Sequence, residues 1–144
     1  MVGLFSENVK ILKIQDHTTA ATSAVTSDTI DTQGYGGVFI LSSFGTAASG
    51  NTVKAQYSDD DAVTDAYSDV VGTSTTSGTS DEDVWIEIKR PAKRYVKAVF
   101  ARGTSSTLES VWAILYNPTN VPVDNTTSGT IAGEAHVQPA EGTA

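Results

Sequence analysis

The chain has 144 residues, no cysteine and a formal net charge of −8 at pH 7. This length fits one domain, and the absence of thiols excludes disulfides and cysteine nucleophiles and fits a reducing cytoplasm. The acidic balance disfavours nucleic-acid binding, which depends on Lys and Arg at phosphates. No apolar run approaches the roughly 20 residues that cross a bilayer, and residues 1–13 lack the basic start and cleavage site of a signal peptide. The chain is therefore expected to be soluble, with no membrane or nucleic-acid partner.

The first half of the chain shows short segments that favour extended backbone. Residues 9–14 predict a first strand, and the Thr-rich residues 23–30 are expected to be extended because Thr is β-branched. Residues 34–37 form a glycine-rich joint, and the uninterrupted apolar residues 38–41 then predict a central strand. Residues 52–58 alternate between apolar and polar side chains, which is the pattern of a half-buried strand.

The segment from residue 59 to residue 83 is the least regular part of the sequence. Residues 63–71 are compatible with one helical turn or with a short edge strand, and the pattern does not decide between them. Residues 72–80 are almost entirely Gly, Ser and Thr. Such a composition buries little apolar surface, so a mobile loop is predicted here.

Three strands with strong alternation follow. In residues 84–89, the side chains of Val84, Ile86 and Ile88 are expected on one face and their neighbours on the other. Residues 94–101 and residues 108–117 predict the last two long strands. Six to eight strands separated by turn signals predict an all-β fold, an antiparallel β-sandwich or jelly roll.

The tryptophans Trp85 and Trp112 lie on predicted strands in apolar company, so core packing is expected for both. The alternative is a sugar-stacking platform, which requires exposed, coplanar rings.

The end of the chain changes in character. Residues 1–120 are predicted to form the sandwich domain and residues 121–144 an extended C-terminal arm. The arm has few sizeable apolar residues, among them Ile131 and Val137, which are candidates to enter pockets on a neighbouring subunit. Strand pairing within its own domain is the alternative.

Charges of opposite sign are concentrated in different stretches of the sequence. Acids cluster in residues 59–69 and in residues 81–83, whereas most basic residues fall within a single stretch. These basic residues, here called the basic strip, are Lys89, Arg90, Lys93, Arg94, Lys97 and Arg102. We predict that the strip contacts a protein partner or another copy, with Tyr95 as an interface residue because Tyr is frequent in binding hot spots. The alternative is a solvated surface.

The residues needed for catalysis do not form a recognisable pattern. There is no Gly-x-Ser-x-Gly motif, and the two histidines, His17 and His136, fall in polar segments. The clustered acids lack the alternating pattern of a calcium loop. We therefore predict no catalytic residue, no cofactor and no metal site, and a protein that is not an enzyme.

Four short stretches carry a resemblance to a known family. They are residues 31–38 (Asp-Thr-x-Gly-Tyr-x-Gly-Val), 53–57 (Val-Lys-Ala-Gln-Tyr), 90–99 (Arg-Pro-x-Lys-Arg-Tyr-Val-x-Ala-Val) and 139–143 (Pro-Ala-Glu-Gly-Thr). In these stretches the chain resembles small structural proteins encoded in tailed-bacteriophage genomes, of the head decoration or cement type.

The resemblance implies a virion protein that is made in the bacterial host cytoplasm and sits on the capsid exterior. Its partner would be the major capsid protein, and the protein would form a homo-oligomer, a dimer or a trimer. Two other functions stay open at this stage, a tail or neck component of the virion and a carbohydrate-binding adhesion module.

Overall fold

The computed structural model describes residues 3–46, 48 and 50–143. Within this part of the chain there are twelve β-strands and one short 3₁₀ helix, Phe5–Glu7. The strands are β1 (Val9–Gln15), β2 (Thr18–Ala21), β3 (Val25–Thr26), β4 (Ile30–Asp31), β5 (Tyr35–Ser43), β6 (Asn51–Ser58), β7 (Ser68–Asp69), β8 (Thr75–Thr76), β9 (Asp83–Lys89), β10 (Tyr95–Arg102), β11 (Ser106–Leu108) and β12 (Val111–Pro118).

Two antiparallel sheets form the body of the protein. The first sheet has the strand order β1-β12-β5-β9. In the second sheet β10 and β6 are the central pair. The short strands β3 and β4 pair with the outer side of β10, and β7 and β8 pair with the outer side of β6. Strands β2 and β11 form a separate two-stranded ribbon.

The pairing pattern defines a jelly roll. β3 with β4, and β7 with β8, each act as one interrupted strand, which leaves eight strands in the two sheets. The first then pairs with the last (β1 with β12), the second with the seventh (β10), the third with the sixth (β5 with β9) and the fourth with the fifth (β6 with β7 and β8). This is a long antiparallel hairpin rolled into two layers, as in jelly-roll folds. The predicted antiparallel sandwich is confirmed.

The core forms where the inner faces of the two sheets meet. Val84, Ile86 and Ile88 are buried on β9, as their alternation predicts, and β10 buries Val96, Ala98 and Phe100. The rings of Phe44 and Phe100 pack edge to face with their centroids 6.0 Å apart, an arrangement that adds to the stabilisation from burial alone.

The region between β6 and β9 is more ordered than its composition predicts. Residues 63–71 contain the edge strand β7, which decides between the two alternatives. Residues 72–80 contain β8 where the sequence predicts a mobile loop, and Ser77 within it is only 2% exposed. Its backbone N–H donates to the carbonyl of Asn51 at 3.1 Å. Backbone pairing with the edge of β6 gives this polar segment the order that its side chains alone do not supply.

Candidate interaction surface

The two outer faces of the sandwich differ in chemistry. The face formed by β10, β6 and their short edge strands carries polar and charged side chains, and we call it the polar face. The face formed by β1, β12, β5 and β9 carries mainly aliphatic and aromatic side chains, and we call it the apolar face. Because residues alternate along a strand, each outer face is read from the positions between the buried ones.

Three members of the basic strip, Lys93, Arg94 and Lys97, lie on or beside the polar face and are paired with acids of the chain. Lys93 Nζ lies 2.6 Å from a carboxylate oxygen of Asp65 and 3.5 Å from one of Asp59. The hydrogen bond to Asp65 raises the pKa of Lys93, and the same contact lowers the pKa of Asp65. The basic strip and the acids of residues 59–69, which look like separate patches in the sequence, neutralise each other in the fold.

Two further pairs complete this arrangement. Arg94 donates through Nε and an Nη atom to the two carboxylate oxygens of Asp31, at 2.9 and 2.6 Å, and this hydrogen bonding lowers the pKa of Asp31. Lys97 Nζ lies 4.2 Å from the centroid of the Tyr67 ring and 3.8 Å from a carboxylate oxygen of Asp61. The guanidinium carbon of Arg94 lies 4.9 Å from the centroid of the Tyr95 ring. Among the residues that the structure describes, the cations of the polar face are therefore held in ion pairs.

The loop that supplies these acids is held in shape by its own hydrogen bonds. The Asp60 carboxylate accepts from the backbone N–H groups of Thr64 and Asp65, at 2.8 and 3.0 Å. Hydrogen bonds from Thr64 and Asp65 lower the pKa of Asp60 to about 2. The loop thus holds Asp61 and Asp65 in position to meet the basic strip.

The remaining members of the basic strip have different environments. Arg102 is only 5% exposed, and its guanidinium donates to the carbonyls of Ser23, Thr19 and Ser106 at 2.7, 2.9 and 3.0 Å. The structure therefore removes Arg102 from the predicted contact surface, because it joins the end of β10 to the β2–β11 ribbon. Lys89 and Arg90 are exposed.

The apolar face is the largest feature that the sequence prediction missed. Cross-strand pairing places Trp112, Leu41 and Trp85 side by side on β12, β5 and β9. The next row along the strands consists of Ile11, Ile114, Phe39 and Glu87. A contiguous apolar surface of this kind on a protein exterior is typical of an interaction site.

The expectation that both tryptophans pack in the core is wrong. Trp85 is 55% exposed and Trp112 is 36% exposed. The Trp85 ring stacks on Phe39, with centroids 5.4 Å apart and ring planes 20° apart. Strand alternation explains their position, since Trp85 lies between the buried Val84 and Ile86 and so points outward.

A trough crosses the apolar face next to the Trp112–Leu41–Trp85 row. It has a volume of about 580 Å³, and its lining includes Phe39, Ile114 and Tyr116 from the sheet and Phe5 and Val121 from the chain ends. A Cβ atom placed on Gly37 would lie only 2.2 Å from the ring carbon Cζ of Tyr116. The absence of a side chain at Gly37 therefore makes room for the Tyr116 ring. Burial raises the pKa of Tyr116 to about 12, so its hydroxyl stays neutral.

The first part of the C-terminal arm lies along the free edge of β1. The Asn125 side-chain amide accepts from the N–H of Ile11 at 2.6 Å and donates to the carbonyl of Val9 at 2.8 Å, as a neighbouring strand would. The N–H of Val123 donates to the carbonyl of Glu7 at 2.9 Å. These contacts cover the free edge of β1, which would otherwise be open to pairing with another chain.

The later part of the arm lies away from the sheets. Ile131 is half-buried and forms an isolated bridge with Thr127, and Val137 is 77% exposed. Residues 132–143 are exposed throughout. Residues 123–125 of the arm therefore contact their own domain, which is the second of the two alternatives. Val137 instead presents its side chain to solvent.

The two histidines are exposed and lie beside carboxylates. His17 Nδ1 is 3.1 Å from an oxygen of Glu109, and His136 Nε2 is 3.2 Å from an oxygen of Glu134. Within residues 3–46, 48 and 50–143, no group of three or more His, Asp or Glu side chains is placed to hold a metal ion. In the same part of the chain, no helix has the length and apolar character of a membrane span.

Comparison of the chain with protein-family models, with curated protein sequences and with solved structures gives no significant match in any of the three.

Proposed function

We propose that this protein is a bacteriophage capsid decoration (cement) protein, which binds the outer surface of the major capsid protein shell and stabilises it. The observation that carries the proposal is the contrast between the two outer faces of the jelly roll. One face is polar with its charges paired inside the chain, and the other is apolar and open at the surface. A rigid scaffold with an apolar face suits repeated contact with protein. The resemblance of residues 31–38 and 90–99 to tailed-phage structural proteins supports the same function.

The contacts to the shell would come from groups that are exposed in the described part of the chain. The exposed Arg90 and the exposed end of the arm, with Val137, are the candidates. Each such contact is small, but many copies around one shell stabilise it together, because neighbouring sites act with a high effective concentration.

The direct test is binding of the purified protein to expanded capsid shells that lack it. Bound protein would be separated by sedimentation and quantified against the major capsid protein. We expect saturable binding at a copy number close to that of the shell protein, and a higher temperature for shell disruption. Failure to bind shells, or binding of only a few copies per particle, would contradict the proposal, and the second result would indicate a tail or neck component.

A truncation separates the role of the arm from that of the sandwich. Removal of residues 133–144 leaves Asn125 and Ile131 in place, so the edge of β1 stays covered. We expect the truncated protein to unfold at the same temperature and to bind shells more weakly. Unchanged shell binding would exclude the end of the arm as a contact.

The exposed tryptophans favour a second candidate, a carbohydrate-binding module. Trp85 and Trp112 flank Leu41 on the apolar face, and aromatic faces of this kind can stack on sugar rings. A glycan binder would show saturable sugar binding that is lost on Trp85→Ala and kept on Tyr95→Ala, which changes an aromatic residue of the polar face. Absence of saturable binding across a panel of bacterial surface glycans would remove this candidate.

A further inference from the structure

We propose that the apolar face is the contact between two copies of this chain, related by a two-fold axis that runs across the strands. This inference deepens the proposed function, since it assigns the partner of one face and leaves the rest of the surface for the shell. We assign a second copy to the apolar face because the shape and the charges of this face match those of an identical face turned through 180°.

The shape of the face is the first reason. Trp112, Leu41 and Trp85 form a ridge, and the trough floored by Phe39 and Ile114 lies directly beside it along the strands. A two-fold axis that passes between these two rows places the ridge of each copy in the trough of the other. Leu41 then packs on Phe39 of the second copy, and Trp112 packs on Ile114. Every such contact occurs twice, as in any isologous interface.

The charges on β9 are the second reason. The outward side chains of this strand run Asp83, Trp85, Glu87 and Lys89, so an acid and a base stand at opposite ends of the row. The same axis, which passes between Trp85 and Glu87, brings Asp83 of each copy opposite Lys89 of the other. Neither Asp83 nor Lys89 forms an ion pair within the described part of the chain, unlike Lys93 and Arg94. Two reciprocal ion pairs at the edge of an apolar contact fix its register.

The size of the face is the third reason. Four strands about 4.8 Å apart, with Phe5 and Val121 at the side, span roughly 25 Å, and seven residues at about 3.3 Å each span about 23 Å. The face therefore offers about 600 Å² per copy, which matches the lower end of the range for specific protein interfaces. Such an area, with Trp112 and Leu41 on the two inner strands β12 and β5, is sufficient for a reversible dimer.

Sedimentation velocity of the purified full-length protein, without shells, tests the proposal over a range of concentrations. We expect the mass to rise from one chain to two. The substitution Trp85→Ser should weaken dimerisation by about tenfold or more, as loss of an aromatic hot-spot residue does. The matched control Tyr95→Ser removes an aromatic ring from the polar face and should leave dimerisation unchanged. Because Trp85 is 55% exposed in the single chain and contacts Phe39 there, Trp85→Ser should lower the unfolding temperature of the monomer, measured at a concentration below dimerisation, only slightly.

A charge exchange tests the register independently of packing. Asp83→Lys alone and Lys89→Asp alone each place like charges opposite one another and should weaken the dimer. The double variant Asp83→Lys with Lys89→Asp restores opposite charges and should recover dimerisation. Failure of the double variant to recover it would overturn the register that we propose.

Other outcomes overturn the proposal as a whole. A chain that stays monomeric at every concentration would do so, as would a dimer that Tyr95→Ser disrupts and Trp85→Ser does not. Sugar binding by Trp85 on a monomer would assign the face to a glycan. Shell binding is measured separately, so a dimer that binds no shell contradicts the proposed function and leaves the dimer contact standing.

Discussion

Replacement of Arg102 by Met tests whether this buried cation holds the fold together. Met matches the apolar stem of Arg but has no guanidinium, so it cannot donate to the carbonyls of Ser23, Thr19 and Ser106, which Arg102 reaches at 2.7 to 3.0 Å. A buried acceptor that loses its donor costs roughly 1 to 3 kcal/mol. With three acceptors, some of them reached by water in the variant, we expect the free energy of unfolding to fall by about 3 kcal/mol.

Urea unfolding followed by tryptophan fluorescence measures this loss. For a domain of this size the dependence on urea is about 2 kcal/mol per molar, so the midpoint should fall by about 1.5 M. Arg94→Met is the matched control, because Arg94 makes a comparable pair of hydrogen bonds to Asp31 at the exposed polar face. Exposed ion pairs contribute little to stability, so the control midpoint should stay close to that of the unmodified protein.

One result of the Arg102→Met experiment would contradict the structural role of Arg102. If Arg102→Met unfolds at the same urea concentration as the unmodified protein but loses binding to a partner, Arg102 is a surface contact and its assigned structural role is wrong. Arg102→Lys should fall between the two, because the ammonium keeps the charge but lacks the fork that reaches several carbonyls at once.

Three further predictions concern other parts of the structure. Asn125→Ala removes the amide that covers the edge of β1, so limited proteolysis should cleave the arm faster, and an unchanged cleavage rate would contradict the edge contact. The pKa of Asp60 is lowered from 3.8 to about 2, chiefly by the hydrogen bond from Thr64, so its contribution to stability is present above pH 4 and is lost as the pH falls to 2. Between pH 4 and pH 2 the unfolding temperature of Asp60→Asn should therefore fall less steeply than that of the unmodified protein. Equal slopes for the two proteins would refute this. Gly37→Ala would place a methyl group in the Tyr116 ring and should lower the unfolding temperature. Adding Tyr116→Ala to the same chain should recover part of this loss. A double-mutant cycle that shows no coupling between the two substitutions would exclude the contact.

The strands were predictable because their signal is local. In β9 and β10 the alternation of apolar and polar residues over seven or eight positions follows from the geometry of a pleated strand. Even the outward position of Trp85 was present in that pattern, since it falls between Val84 and Ile86. The expectation that large aromatic residues pack in the core conflicts with this alternation, and Trp85 follows the alternation.

The polar face could not be predicted from the order of residues. Arg94 and Asp31 are separated by 63 positions, and they meet only because β4 pairs with β10. Lys93 and Asp65 meet across 28 positions through the loop that follows β6. A count of charges along the chain therefore shows a basic strip, whereas the fold converts three of its six members, Lys93, Arg94 and Lys97, into ion pairs. Topology, which sequence patterns do not specify, decides which charges remain free.

The distribution of charge makes the salt dependence of association informative. Two copies that each carry a net charge of −8 repel one another at low ionic strength, where the Debye length is about 30 Å at 0.01 M. Added salt screens this long-range repulsion more than it screens the two close Asp83–Lys89 pairs, and it does not weaken apolar packing. Dimerisation through the apolar face should therefore strengthen between 0.01 and 0.15 M salt, where the Debye length shrinks to about 8 Å. Association of a basic strip with an acidic partner would weaken over the same range. The sign of the salt effect thus distinguishes a contact made by Trp85, Leu41 and Trp112 from one made by Lys93, Arg94 and Lys97.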